Sequence, residues 1–155
     1  MKLITEPGVY VSEHFEAENV LRFHLKFHYS QFSKKLEDCV IRARKYSATI
    51  IGSFYSFNNV PQDEIVDTEF FFITEETYLD IPGTIFSSYF ELNNLISIDV
   101  THDYEIGTEI AYAKLINTYH ANNMQINSPF YHFPHIPIDD SNSQPSMTIA
   151  TAYAF

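Results

Sequence analysis

The histidine pairs are the first residues whose types could do chemistry, since imidazole is a common metal ligand. His24 and His28 lie four positions apart in a segment of alternating hydrophobicity. In a strand this spacing separates them by about 13 Å at ~3.3 Å per residue, which is too far for one metal ion. His132 and His135 flank a proline, and the acids at 139–140 are the only further ligands nearby. We therefore predict no metal site.

Nucleophilic and phosphate chemistry lack the residues they need. The chain has no Gly-x-Ser-x-Gly motif, and its 4 Gly are scattered instead of forming a phosphate-binding loop. Its one cysteine, Cys39, falls on the apolar stripe of a predicted helix, which favours a buried and inert thiol. The acids Asp63, Glu64 and Asp67 lie in a polar stretch and are expected to be solvated. We predict no catalytic residues and no cofactor, and a minor hydrolase activity ranks last among our hypotheses.

The composition indicates a globular protein of a reducing compartment. The chain has 155 residues, of which 45% are hydrophobic and 16% aromatic, enough to form a core without disulfides. A single cysteine excludes an internal disulfide and fits a cytoplasmic location. We expect no secretion signal and no membrane span, because no apolar stretch approaches about 18 residues. The net charge of −11 at pH 7 would repel a phosphate backbone, so we expect no nucleic-acid partner.

Two parts of the chain resemble each other in sequence. Residues 7–20 and 82–95 share Pro, Gly, Ser, Phe, Glu and Asn at a constant shift of about 75 positions. Farther along, residues 53–57 match 129–133 at a shift of about 76, as a single inserted residue would produce. Several collinear matches favour a tandem duplication, although any two segments with the same order of strands and helix share some similarity.

Each repeat is predicted to contain two strands, a helix and two further strands. The clearest strand signal is the strict alternation of apolar and polar residues over 21–28, which 96–101 repeats. Asn19 and the Asn93–Asn94 pair are predicted turns before these two strands. The other predicted strands are 9–15, 50–57 and 68–73 in the first repeat and 85–90, 129–133 and 147–153 in the second.

One helix is predicted in each repeat. Ser30 and Asp103 are the predicted N-caps, and Asn122–Asn123 is the predicted end of the second helix. The apolar stripes that should face the core are Phe32, Leu36, Cys39, Val40 and Ala43 in the first helix and Ile106, Ile110, Ala113 and Leu115 or Ile116 in the second.

These elements predict an α+β fold that is a tandem duplication of a strand–(strand–helix–strand–strand) unit. Repeats at about 4–75 and 79–155 would form a single domain, 1–155, with antiparallel sheets, two helices packed together and pseudo-two-fold symmetry. Residues 69–73 are apolar on both faces and are expected in the interior of a sheet. Packing two half-covered sheets would leave a groove where the repeats meet, and such grooves are common binding sites.

The order and length of these elements resemble the GyrI-like effector-binding domains of bacterial regulators. The resemblance covers nearly the whole chain, and the closest stretch is Ile96–Phe133, with its alternating strand, helix and Pro-aromatic strand. It implies that a cationic, aromatic small molecule binds in the groove. It also implies a buried Glu on the strand after the second helix, where this chain has Tyr131. Glu69, on the last strand of the first repeat, is the carboxylate we expect to serve instead.

Our first hypothesis is a non-enzymatic, effector-type small-molecule binding protein with an aromatic groove. Tyr55 and Tyr131 occupy matched positions and would stack on the ligand; core and edge packing is the alternative explanation, and the pattern favours it. Glu69 would be the charge partner, and Tyr104 and His132 would be hydrogen-bonding groups. The second hypothesis is an acidic protein-interaction module, an adaptor or chaperone for a basic secreted or toxin-like partner. A homodimer is a third kind of partner that we consider.

Overall fold

The described residues form β-strands and two α-helices. A computed structural model describes residues 3–58, 65–101, 104–124, 128–135 and 146–153, with only the backbone described at 104–106 and 146. The strand pairings within the described residues are antiparallel, which confirms the predicted α+β class. The elements are β1 (Val9–His28), α1 (Phe32–Lys45), β2 (Ile50–Phe57), β3 (Ile65–Thr74), β4 (Thr84–Val100), α2 (Tyr104–Ala121), β5 (Phe130–His135) and β6 (Ser146–Ala152).

The chain divides into two compact units. The helix-1 unit is Glu16–Glu91 and contains α1; the helix-2 unit combines Met1–Phe15 with Leu92–Phe155 and contains α2. Strands β1 and β4 each contribute residues to both units. The units therefore differ from the predicted repeats. The first predicted strand of the first repeat, 9–15, belongs to the helix-2 unit, and that of the second repeat, 85–90, belongs to the helix-1 unit. The duplication and the single domain stay predictions.

In the helix-1 unit, β3 is the central strand and pairs with both β1 and β2. Its Phe70–Phe72 run is buried, as expected for a strand whose two faces are both covered. On one face, Phe70 and Phe72 pack with Cys39 and Ala43 of α1. The predicted stripe of α1 is confirmed, since its remaining members, Phe32, Leu36 and Val40, pack against the same cluster.

The predicted turns at Asn19 and Asn93–Asn94 are wrong. Both positions lie inside the long strands β1 and β4. Asn19 has φ 60 and Asn94 has φ 56, and asparagine is one of the few residues that adopt this left-handed conformation readily. A single left-handed residue is typical of a β-bulge, which keeps the chain running in the same direction.

The predicted N-cap of α1 is also wrong. A short 3-10 turn, Tyr29–Gln31, precedes α1, and the residue before α1 makes no side-chain capping bond. The ring of His28 takes the capping role, because its Nδ1 accepts a hydrogen bond of 3.1 Å from the backbone N–H of Ser30. The predicted cap of α2, Asp103, lies outside the described residues.

In the helix-2 unit, β6 pairs with β4 and β5, and α2 buries a different stripe from the one predicted. Ile110 is 50% exposed, and Ala113 is also exposed, whereas Leu115 is buried as expected. The helix turns toward its tyrosines because their large rings bury more apolar surface than Ile110 and Ala113 would. The side chain of Ile106, also in the predicted stripe, lies outside what the structure describes. Among the described side chains of α2, the buried ones are Ala111, Tyr112, Leu115, Thr118 and Tyr119.

The two helices end in the same way. Ser47 and Asn123, at matched positions after α1 and α2, have φ 68 and φ 55. After each helix, three successive backbone N–H groups donate to carbonyls of the last turn in the same pattern, which is the usual left-handed helix stop. The predicted end at Asn122–Asn123 is confirmed.

Candidate functional site

The face of the helix-1 unit opposite α1 carries charged and aromatic side chains. Residues that lie opposite each other in an antiparallel pair point to the same face. Arg22 lies opposite Phe71, and Phe71 lies opposite Phe54. Glu69 lies two residues before Phe71, so it shares this face. We call this group the Arg22–Glu69 face; its members are Arg22, Phe54, Ser56, Glu69, Phe71 and Phe90.

An ion pair lies at the centre of the Arg22–Glu69 face. Arg22 Nη2 donates to Glu69 Oε1 at 3.0 Å, and the two side chains are 28% and 16% exposed. Glu69 is thus largely withdrawn from water, although charged side chains are seldom buried without a partner. An unpaired carboxylate at this depth would be costly, so the guanidinium is needed there unless another cation replaces it.

Three phenylalanines form the aromatic part of the face. Phe54 and Phe71 stack with ring centroids 4.4 Å apart and an interplanar angle of 5°. Phe90, from β4, tilts against both at 5.7 Å and 5.2 Å. The guanidinium carbon of Arg22 lies 5.4 Å from the Phe71 centroid and 5.7 Å from the Phe90 centroid. These distances are within the range of cation–π attraction.

Two buried polar atoms on this face have no hydrogen-bond partner among the described residues. They are Arg22 Nε and the hydroxyl oxygen of Ser56. Ser56 is the cross-strand neighbour of Glu69 and is buried. Buried polar atoms are nearly always hydrogen-bonded in folded proteins, so two unpaired atoms beside one ion pair indicate a place where a further polar group can bind.

His24 lies at the edge of the same face and is exposed, as predicted. Its Nε2 bonds the carboxylate of Asp67, which lies on β3 and not in a solvated loop as we expected. The described residues hold no group of three His, Cys, Asp or Glu side chains that could bind a metal ion. The acids Asp63 and Glu64, and those at 139–140, lie outside the described residues.

Tyr55 lies on the other face of the sheet from Glu69. It is opposite Phe70 in the β2–β3 pair, and its ring packs edge-on against Phe32 of α1 at 4.9 Å. Tyr55 is partly buried against the core of the helix-1 unit. The structure therefore does not bring together Tyr55 and Glu69, which we predicted to share one site.

His132 belongs to the core of the helix-2 unit. Its Nε2 is hydrogen-bonded to the hydroxyl of Tyr112 on α2, and its Nδ1 lies 3.3 Å from the sulfur of Met147. Burial lowers the pKa of His132 to about 3, because a charged imidazolium would lose its hydration there. His132 is therefore neutral at physiological pH. The thioether sulfur of Met147 can only accept, which favours the tautomer with the proton on Nδ1 and with Nε2 accepting from the Tyr112 hydroxyl.

Tyr131 lies on the face of β5 opposite α2, because its neighbour His132 contacts α2 and strand side chains alternate. Its ring stacks on Phe133 at 6.3 Å and 19°, and Phe133 contacts Phe15 at 4.6 Å. Tyr104 is the first residue of α2, and its side chain lies outside what the structure describes.

The matched positions of Tyr55 and Tyr131 are wrong. Tyr55 contacts the helix of its unit, whereas Tyr131 lies on the face away from its helix. By strand pairing, Tyr131 corresponds to Phe54 and not to Tyr55. Tyr131 lies opposite Ala150 of β6, and Phe54 lies opposite Phe71 of β3. An error of one residue in alignment reverses the face of every side chain on a strand.

Sequence reasoning missed most of the Arg22–Glu69 face. Only Glu69 was predicted as a site residue, and Arg22 was assigned to the polar, solvent-facing side of its strand. The alternation over 21–28 did indicate that Arg22 points away from the core of α1. The partner of Arg22 could not be read from it, because Glu69 lies 47 positions away in sequence.

Solved structures of other proteins share this fold. The crystal structure of the EcmrR C-terminal domain superposes with a TM-score of 0.69 and 13% identity, covering 92% of this chain and 96% of that one. EcmrR in its cryo-EM complex with DNA gives a TM-score of 0.72 and 13% identity, but the match spans only 57% of that chain and 94% of this one. A hydrolase from Listeria innocua matches at a TM-score of 0.52 and 8% identity, covering 92% of this chain and 91% of that one.

At these identities the likeness shows a shared fold. The chain belongs to the family described as a domain of unknown function, DUF5085, whose model matches residues 17–150. The comparison with curated proteins finds no match. Neither helix in the described part of the chain has the length and apolar character that crossing a membrane requires.

Proposed function

We propose that this protein binds a small cationic, aromatic molecule at the Arg22–Glu69 face and carries out no chemical step on it. The observation that carries the proposal is a carboxylate, Glu69, that is only 16% exposed and lies beside a stack of phenylalanine rings. A carboxylate partly withdrawn from water attracts a cation more strongly than a solvated one does. Ring faces add a cation–π attraction for the same ligand.

Two further observations support this proposal. The order of the elements resembles that of the GyrI-like effector-binding domains, and the fold is similar to that of the EcmrR C-terminal domain. The net charge of −11 also raises the local concentration of cations and disfavours anions. All members of the proposed site belong to the helix-1 unit. The site therefore does not require Tyr55, which lies on the other face of the sheet, or any residue of β5. The contributions of Tyr104, Tyr131 and His132 stay predictions.

Binding of proflavine, a planar aromatic cation that fluoresces, tests the proposal. The wild-type protein should bind it saturably, and Glu69→Gln should weaken binding by at least about tenfold, the equivalent of about 1.4 kcal/mol. Glu37→Gln is the matched control, since it removes the same charge from an exposed position on α1. Fluorescein, an aromatic anion, should not bind measurably. Equal affinities in the two variants, or no saturable binding by the wild type, would refute the proposed function.

A further inference from the structure

We infer that Arg22 is a resident cation that occupies the ligand position of the Arg22–Glu69 face, and that a ligand must displace it to bind. The inference rests on the proposed function and adds how the site is regulated and what it selects. Arg22 already makes both contacts that a cationic aromatic ligand would make. It pairs with Glu69 at 3.0 Å and lies over the Phe71 and Phe90 rings at 5.4 and 5.7 Å.

The guanidinium is held incompletely, which makes it displaceable. Arginine has five N–H donors, yet within the described residues Arg22 makes a hydrogen bond only to Glu69, and its Nε is buried without a partner. In water all of these donors would be solvated. The side chain is 28% exposed, so the guanidinium can reach solvent by rotating its flexible stem. When the guanidinium of Arg22 moves into solvent, its Nε–H therefore gains a hydrogen bond to water that it lacks on the face.

Ser56 offers a group that Arg22 does not use. Its hydroxyl is buried next to Glu69 in the β2–β3 pair and has no partner among the described residues. Arg22 reaches Glu69 from β1, on the other side of β3. A ligand with an N–H or a hydroxyl beside its charge can satisfy both Glu69 and Ser56, an advantage over Arg22 that offsets the cost of displacing it.

The competition with Arg22 defines the chemical class of the ligand. A guanidinium is planar, delocalised and weakly hydrated, so it leaves water readily and stacks on rings. A compact ammonium ion keeps its water more tightly and covers less ring surface. A competitor must match Arg22 in both respects. The ligand class is therefore planar, delocalised cations such as amidinium, guanidinium or acridinium compounds, with compact alkylammonium ions excluded.

Arg22→Gln tests the inference, because it removes the resident cation and leaves Glu69 in place. Proflavine should bind this variant about tenfold more tightly than the wild type, since no displacement is required. The double variant Arg22→Gln, Glu69→Gln should lose the gain. Lys26→Gln is the matched control, since it removes one positive charge from an exposed position on the same strand and should leave the affinity within about twofold.

A second variant, Arg22→Lys, and an NMR measurement on the wild type keep the inference testable if Arg22→Gln does not fold. Arg22→Lys keeps the positive charge but cannot stack as a plane, so its affinity for proflavine should exceed that of the wild type by a smaller factor. In NMR spectra of the wild type, the Nε–H signal of Arg22 should move to the position of solvated arginine when proflavine saturates the site. Circular dichroism establishes that each variant is folded.

The outcomes separate the inference from the function on which it rests. If the wild type binds proflavine through Glu69 but Arg22→Gln and Arg22→Lys bind no more tightly, the resident-cation inference is wrong and the function survives. If Arg22→Gln and Arg22→Lys bind proflavine more weakly than the wild type, Arg22 contacts the ligand directly, and the inference is again wrong. If neither the wild type nor any variant binds proflavine, both are overturned.

Discussion

His132 should make the protein lose stability as the pH falls below neutrality. Its pKa in the folded protein is about 3, because burial disfavours the charged ring, whereas an unfolded histidine has a pKa of about 6.5. Below about pH 6.5, His132 is therefore protonated in the unfolded chain but stays neutral in the folded protein. The stabilisation is fully present above the unfolded pKa and is lost progressively as the pH falls from about 6.5 toward about 3.

The size of the loss follows from the interval between the two pKa values. Each pH unit within it costs about 1.4 kcal/mol of unfolding free energy, so a change from pH 7 to pH 5 costs roughly 2 kcal/mol. His132→Gln removes the titration and keeps an acceptor for the Tyr112 hydroxyl. The variant should therefore lose about 2 kcal/mol less than the wild type over this interval.

Urea unfolding at pH 7 and pH 5 measures the effect, with circular dichroism or tyrosine fluorescence as the signal, since the chain contains no Trp. His135→Gln is the control. It removes a histidine from an exposed position on the same strand and should retain the loss that His132 causes. If His132→Gln and the wild type lose the same free energy between the two pH values, His132 does not stay neutral in the folded protein.

Three further predictions concern stability and reactivity. Cys39, whose pKa burial raises to about 11, should react with DTNB at pH 8 at least about 100-fold more slowly than a free thiol, and urea should abolish the difference. Phe71→Ala should lower the unfolding free energy by about 3–5 kcal/mol, because it leaves a cavity beside Phe54. The control Ile51→Ala, at an exposed position, should cost under about 1 kcal/mol. Similar losses for the two variants in urea titrations would contradict the buried stack of Phe54 and Phe71. Gly83→Ala should cost about 1–2 kcal/mol, because Gly83 has φ +80 and an alanine is strained in that conformation. The added methyl group would meet the Arg42 guanidinium at 3.7 and 3.8 Å, ordinary contact distances, so backbone strain is the main cost; an unchanged unfolding midpoint would count against that conformation.

Local sequence patterns predicted those elements whose buried faces can be recognised from residue type alone. The Phe70–Phe72 run is apolar on both faces, and a strand of this kind must have neighbours on both sides and cover above and below. The stripe of α1 was equally clear, because its exposed side is strongly charged and only one face could be buried. In α2 the residues from Ile110 to Leu115 are apolar on several sides, so periodicity alone did not identify the buried face.

The long strands and the site illustrate what local patterns do not carry. Asn19 has the residue type of a turn, and only its neighbours in the sheet make it a left-handed residue within β1. The ion pair between Arg22 and Glu69 depends on which residues of β1 and β3 lie opposite each other. The hydrogen bonds that define this register form between distant parts of the chain and leave no local signature.

Glu69 illustrates both sides of this division. Its residue type was evident from the sequence, and so was its place at the start of a run, 69–73, that is apolar on both faces and was expected inside a sheet. Its partner Arg22, its unpaired neighbour Ser56 and its separation from Tyr55 were decided by tertiary structure. Alternation divides each strand into two faces, but strand pairing determines which faces meet, and a shift of one residue would have exchanged Phe71 for Phe70 opposite Arg22.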